Sequence, residues 1–114
     1  MTREEVCVAG FNIVQSSGVA KNTLFDALES ASHGNFAKAQ ELIDRASELI
    51  CQAQSLQDLF KKEVEEKNCK MKFVVEHGND HLMTTIIFRD LVADLTADGP
   101  CCKQAIRSLY KRYH

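Results

Sequence analysis

The chain has 114 residues, 45% of them apolar and 26% charged, which is enough for one domain with a modest core. Its net charge of −2 gives no general attraction for nucleic acid or for an anionic membrane. No apolar run approaches the roughly 20 residues of a membrane span and residues 1–5 lack the apolar region of a signal peptide, so we expect a cytoplasmic protein without membrane insertion.

The first predicted helix begins at a capping box and ends at a glycine. Residues 2–5 have the T-x-x-E pattern in which a threonine and a glutamate cap the helix start reciprocally. Small and apolar residues then recur at alternating spacings of three and four as far as Ala31, which is the pattern of a helix seam. Gly18 marks a site for a bend, and Gly34 suits the position just after the helix end.

The second predicted helix has a cleaner apolar seam, which runs from Phe36 to Val64 behind an Asn35 cap. Gln57 is the one polar residue in that seam. Two interpretations of Gln57 stay open at this point. It is either a buried amide that fixes the register of the bundle, or a residue that supports a functional site.

Residues 68–76 contain a short β-branched and aromatic run without a partner strand, and they predict an extended loop that delivers His77. Gly78 and Asn79 suit the junction between this loop and a third helix, with Asn79 as the N-cap and Asp80 in the first turn. His77 is then expected just outside the helix, beside amides that have no intrahelical acceptor. Such amides favour an anion such as phosphate, and a histidine there suggests a nucleophile for a phosphoryl group.

The third helix is predicted from about Asp80 to Leu95 and is apolar almost all round. Two partner helices in one subunit cannot cover such a surface, which predicts self-association through this helix. Gly99 and Pro100 should end it. We therefore divide the chain into a helical domain over residues 1–98 and a short basic C-terminal segment over residues 99–114.

Other interpretations compete at the histidines. His77 and His81 are four residues apart with Asp80 between them, which is also a spacing that zinc ligands use. His81 is equally consistent with a packed side chain and with a catalytic partner of His77. A non-catalytic helical adaptor or a metal-binding bundle is the alternative class of function.

Cysteine usage excludes two further classes of protein. The odd number of cysteines and the absence of a C-x-x-C spacing argue against a disulfide framework and against a zinc ribbon. We expect free thiols, as in a reducing cytosol. The five are Cys7, Cys51, Cys69, Cys101 and Cys102.

Residues 77–84, His-Gly-Asn-Asp-His-Leu-Met-Thr, resemble the H-(A/G)-Q-D-H-L-M-T motif of the lactose/cellobiose-type enzyme IIA of the bacterial sugar phosphotransferase system. Seven of the eight positions match, and Asn79 stands where the family has Gln. Weaker matches extend over roughly residues 2–95, including Gly10-Phe11 and Ala53-x-x-x-Gln57. Gln54, where the family usually has His, and an insertion at about 96–105 depart from the pattern.

The resemblance implies an all-α fold in which each subunit is an antiparallel three-helix bundle, here with an extra short C-terminal helix, and the subunits form a homotrimer. It also implies that His77 accepts a phosphoryl group from phospho-HPr and passes it to a cysteine of the IIB component of a sugar permease. Asp80 of each chain would share one Mg²⁺ per trimer. His81, Asn79 and Gln57 are the expected supporting residues.

Overall fold

The computed structural model describes residues 2–66 and 72–113, and it places them in four α-helices and one short 3₁₀ turn, with no strand in these two ranges. The elements are α1 (Arg3–Ser32), α2 (Phe36–Glu66), α3 (Lys72–Asp98), the 3₁₀ turn Gly99–Cys102 and α4 (Lys103–Tyr113). The predicted all-α fold, with three long helices and an additional short C-terminal helix, is confirmed.

The first three helices form an antiparallel bundle. Only three residues separate α1 from α2, so these two helices must run in opposite directions. α3 runs parallel to α1, as shown by contacts that advance in the same direction along both helices. They pair Gly10 with Val74, Ile13 with Gly78 and Ser17 with Thr85.

The predicted caps of α1 and α2 are present. The Thr2 hydroxyl accepts a hydrogen bond from the Glu5 backbone N–H at 3.1 Å, and the Asn35 side-chain oxygen accepts one from the Lys38 N–H at 3.3 Å. His33 is the C-cap of α1, and Gly34 follows it with a φ of +82°, a conformation that suits glycine. These bonds satisfy backbone groups that a helix end otherwise leaves unpaired.

The start of α3 differs from the prediction. α3 begins at Lys72, eight residues before the predicted start at Asp80, so the extended conformation predicted for residues 72–76 is wrong. Residues 68–71 of that predicted loop lie outside the described part of the chain. The reason lies at Gly78, which is buried inside the helix. A Cβ there would lie 3.3 Å from Gln57 Oε1 and 3.4 Å from Ile13 Cγ2, so the glycine permits close helix packing and does not turn the chain.

The core lies along the common axis of the bundle and includes α4. Its main cluster combines small and large apolar side chains from all four helices, and a smaller cluster fills the end where α1 begins. Among the largest fully buried side chains are Leu24, Leu28, Ile50, Val92 and Ile106. The smaller cluster consists of Val6, Ala9, Ile13 and Phe60.

α4 packs mainly against α1. Ile106 is fully buried, and the Tyr110 hydroxyl bonds the Glu29 carboxylate of α1. Burial, followed by the charge of Glu29, raises the pKa of Tyr110, so the phenol stays protonated as the donor. α3 ends at Asp98, and Ile106 attaches the helix that follows to the common core.

One side of α3 is uncovered in a single chain. Met83, Ile87 and Leu91 lie on it with exposed fractions of 48%, 66% and 44%. This is the incompletely covered apolar surface that the sequence of the third helix predicts. No helix in the described ranges combines the length and the apolar character needed to cross a membrane.

The described cysteines are free thiols, and Cys69 lies outside the described residues. Cys102 is half-buried and donates a hydrogen bond from its Sγ to Asp98 Oδ2 at 3.5 Å, which ties the 3₁₀ turn to the end of α3. The free cysteines are Cys7, Cys51, Cys101 and Cys102.

Replacing Ile106 by alanine should leave a cavity beside α1 and lower the free energy of unfolding by roughly 2–5 kcal/mol. Arg107→Ala, at an exposed neighbouring position of α4, is the matched control and should change it by less than about 0.5 kcal/mol. Urea unfolding at one fixed protein concentration measures both values. Equal effects of the two changes would contradict the attachment of α4 to the core.

Candidate functional site

His77 lies inside α3, as its sixth residue. The prediction that it stands just outside the helix is therefore wrong, and so are those of Asn79 as the N-cap and of Asp80 in the first turn. The backbone amides without an intrahelical acceptor belong to the first turn of a helix, which here begins at Lys72. An anion at His77 must consequently be bound by side chains and not by the start of this helix.

The helical conformation brings the two histidines together. His77 and His81 are one turn apart on the same face, with ring centroids 4.7 Å apart and an angle of 70° between the ring planes. Both side chains are exposed. Each imidazole is thus accessible from solvent, and the edge-to-face contact restricts the orientation of the two rings.

An open pocket of about 250 Å³ surrounds the histidines. It gathers two imidazoles, a carboxylate, an ammonium group and two hydroxyls from α1 and α3. The lining residues are Lys21, His77, Asp80, His81, Thr84 and Thr85. Three of the predicted site residues, His77, Asp80 and His81, therefore meet in one place.

Two threonine hydroxyls shape the wall of this pocket. Thr84 Oγ1 donates to the Asp80 backbone oxygen at 2.9 Å, and Thr85 Oγ1 donates to the His81 oxygen at the same distance. Thr85 is buried, and its Oγ1 also lies 3.5 Å from the backbone carbonyl oxygen of Ser17 in α1. This second contact fixes α3 against α1 at the level of the histidines.

Gln57 and Asn79, the other predicted supporting residues, do not line the pocket. Asn79 is exposed beside it. Gln57 is buried within the bundle, where its Oε1 lies against Gly78, the residue after His77. This position agrees with both interpretations of Gln57, because the amide is buried in the bundle seam and also contacts the helix segment that carries His77.

The sequence revealed neither Thr85 nor Lys21 as a lining residue, and Lys21 is the more distant of the two from the histidines in the chain. It follows Ala20 of the α1 seam, and only the packing of α1 on α3 brings it near a histidine 56 positions later in the chain. A lysine beside a helix seam is an ordinary solvated residue in sequence terms, so the pattern held no specific signal.

The described residues contain no group of three or more histidine, cysteine, aspartate or glutamate side chains arranged to hold a metal ion. The geometry of one chain therefore gives no support to zinc bound by His77, Asp80 and His81. A metal ion at Asp80 would need ligands from outside the described part of this chain.

Comparison with known proteins identifies relatives over most of the chain. The sequence model of one family, "PTS system, Lactose/Cellobiose specific IIA subunit", matches residues 8–97. A lactose-specific EIIA component from Lactococcus lactis subsp. lactis is 38% identical over 96 residues, covering 83% of this chain and 91% of the relative. The corresponding protein of Staphylococcus aureus strain N315 is 41% identical over 96 residues, covering 83% and 93%.

The structural comparison agrees with the sequence relatives. The crystal structure of PtcA from S. mutans superposes with a TM-score of 0.75 at 27% identity, covering 97% of this chain and 99% of PtcA. The resemblance that residues 77–84 carry is thereby confirmed, and the similarity to PtcA includes α4, which lies beyond the family match at residue 97.

Two glycine-to-alanine changes should separate helix propensity from packing at the site. Gly18→Ala adds a methyl group where nothing lies within 4 Å, and it should stabilise the protein by about 1 kcal/mol through helix propensity. Gly78→Ala has the same propensity gain, but its methyl group meets Gln57 and Ile13 at 3.3–3.4 Å, so the net gain should be smaller. Thermal or urea unfolding compares the two variants, and equal stabilisation would show that Gly78 is not needed for close packing.

Proposed function

The chain belongs to the lactose/cellobiose-specific IIA family of the phosphotransferase system, and we propose that it carries a phosphoryl group on His77 during sugar uptake. Membership of the family makes it a component of a sugar phosphotransferase system. The observation that supports the proposed site best is the exposed His77 imidazole at a pocket that also contains an ammonium group and two hydroxyls. We propose a cytoplasmic location, as expected for a partner of HPr.

The proposed reaction consists of two transfers in sequence. The unprotonated ring nitrogen of His77 attacks the phosphorus of phospho-HPr, a new N–P bond forms, and the old N–P bond breaks with its electron pair left on the donor nitrogen. A cysteine thiolate of the IIB component then attacks the same phosphorus, and the electron pair of the His77 N–P bond returns to the imidazole. Neutral imidazole is a suitable carrier because it is nucleophilic near pH 7 and a good leaving group.

His81 and Gln57 have supporting roles in this proposal. The edge-to-face contact with His81 holds the His77 ring in position at the pocket. Gln57 packs under Gly78 and keeps the helix segment with His77 close to α1 and α2. Asn79 replaces the usual Gln at an exposed position beside the site, and its shorter amide is the expected point of difference from the relatives.

Assembly as a homotrimer around α3 is the second part of the proposal. Asp80 is exposed on the same helical face as Ile87 and Leu91, which are themselves exposed. If this face forms the threefold contact, three carboxylates meet near the axis and repel one another. Oxygen ligands and a site open to water suit Mg²⁺, and one Mg²⁺ shared by Asp80 of each chain would offset that repulsion.

Incubation with enzyme I, HPr and phosphoenolpyruvate should add one acid-labile phosphoryl group per chain, and His77→Gln should abolish its addition. His81→Gln is the matched control, because it alters the neighbouring ring one helical turn away and should still be phosphorylated. Mass spectrometry under neutral conditions measures the product. Labelling that is lost with His81→Gln but kept with His77→Gln would contradict the site, and an unlabelled wild type would favour a helical adaptor.

Asp80→Leu should remove the repulsion and give a trimer that no longer depends on a metal ion. The wild-type protein should be trimeric in Mg²⁺, and its subunits should associate more weakly once a chelator removes the metal ion. Sedimentation velocity with and without a chelator measures both states. A wild type that is monomeric in Mg²⁺, or an Asp80→Leu variant that dissociates, would contradict the threefold contact through α3.

A further inference from the structure

We propose that Lys21 binds the phosphoryl group as it is transferred to and from His77. This inference rests on the proposed function and adds a residue to its site. Among the described residues that line the pocket, Lys21 has the one ammonium or guanidinium group. The other lining side chains are the two imidazoles, the Asp80 carboxylate and two threonine hydroxyls.

The packing of α1 on α3 accounts for the position of Lys21. Ser17, one turn earlier in α1, lies beside Thr85, with 3.5 Å between the Ser17 backbone carbonyl oxygen and Thr85 Oγ1. Side chains in an α-helix point toward the helix N-terminus. A long side chain at position 21 therefore leans back toward the level of Thr85 and His81 and reaches the wall of the histidine pocket.

A second pocket adjoins the first at Lys21. Lys21 and Thr84 also line an adjoining groove of about 280 Å³ whose other residues are apolar. The apolar stem of a lysine packs favourably along such a surface while its ammonium group stays in a polar environment. The groove residues beside them are Phe25, Ile87, Phe88, Leu91 and Leu109. At this boundary the stem can pack along the groove while the ammonium group reaches the histidine side.

Charge favours a cation in this pocket. A phosphoryl group brings about two negative charges, and the Asp80 carboxylate already lies among the lining residues. Within residues 2–66 and 72–113 the Lys21 ammonium makes no ion pair, so its charge is available to an incoming phosphoryl group. A compact ammonium on a flexible stem suits a group that must arrive and leave, because it binds as a point charge without a fixed geometry.

Lys21 donates hydrogen bonds to the phosphoryl oxygens in this scheme and exchanges no proton. In the first transfer the N–P bond of phospho-HPr breaks as the N–P bond to His77 forms. In the second transfer the His77 N–P bond breaks as an S–P bond to the cysteine of the IIB component forms. Because the ammonium group stabilises charge on the transferring group, its removal should slow the transfer itself and not only weaken donor binding.

Lys21→Met tests this role, since it keeps most of the apolar stem and removes the charge. At saturating phospho-HPr, single-turnover phosphorylation of His77 should slow by about tenfold or more. Lys21→Arg should restore the rate to within about threefold of wild type, because it returns a cation to the same position. Lys38→Met is the matched control at an exposed lysine of α2 outside the pocket, and it should match wild type.

A Lys21→Met variant with the wild-type rate at saturating donor would overturn the inference, as would an Arg variant as slow as the Met variant. Inorganic phosphate gives an independent probe, followed by NMR of the His77, His81 and Thr84 amides. Phosphate should shift these resonances in wild type, and Lys21→Met should lower the affinity for phosphate by about tenfold or more. If wild type takes no phosphoryl group but binds phosphate through Lys21, the proposed function fails and the anion site stands.

Discussion

The close contact of three helices at Gly78 is the constraint on which the site depends. Ile13 of α1 and Gln57 of α2 both approach the position where a Cβ would stand, at 3.4 Å and 3.3 Å. This contact fixes the rotation of α3, because one of its faces must present a glycine to both neighbours. His77 and His81 then face away from the buried side. The accessibility of the imidazoles follows from the close packing of Gly78, which lies between them in the chain.

The rest of α3 serves two purposes along its length. Near His77 its outer side carries polar groups that form a pocket with α1, and farther along it carries exposed apolar side chains at Ile87 and Leu91. Lys21 lies where these two surfaces meet. α3 has one buried face, one face that lines the histidine pocket and one exposed apolar face. A single chain does not cover the apolar face, which is the physical argument for self-association.

The sequence predicted the features that depend on local chemistry and missed those that depend on packing between distant residues. Caps at Thr2 and Asn35 and the end of α3 just before Gly99 follow from the residues themselves. In the sequence Gly78 suits a junction between loop and helix, and a glycine in a helix interior costs about 1 kcal/mol. Close packing against two helices outweighs that cost here, so the helix continues. Lys21 and Ile106 take their roles from tertiary contacts, which periodicity does not reveal.

The position of His77 inside a helix changes what its surroundings can provide. At a helix start, backbone N–H groups and the helix dipole would bind a phosphoryl group, and no cationic side chain would be needed. In the interior of α3 those N–H groups are committed to the helix. Within the described part of one chain, hydrogen bonds and positive charge must therefore come from side chains, and the residues that line the pocket are within reach. The observed start of α3 therefore supports the role that we propose for Lys21.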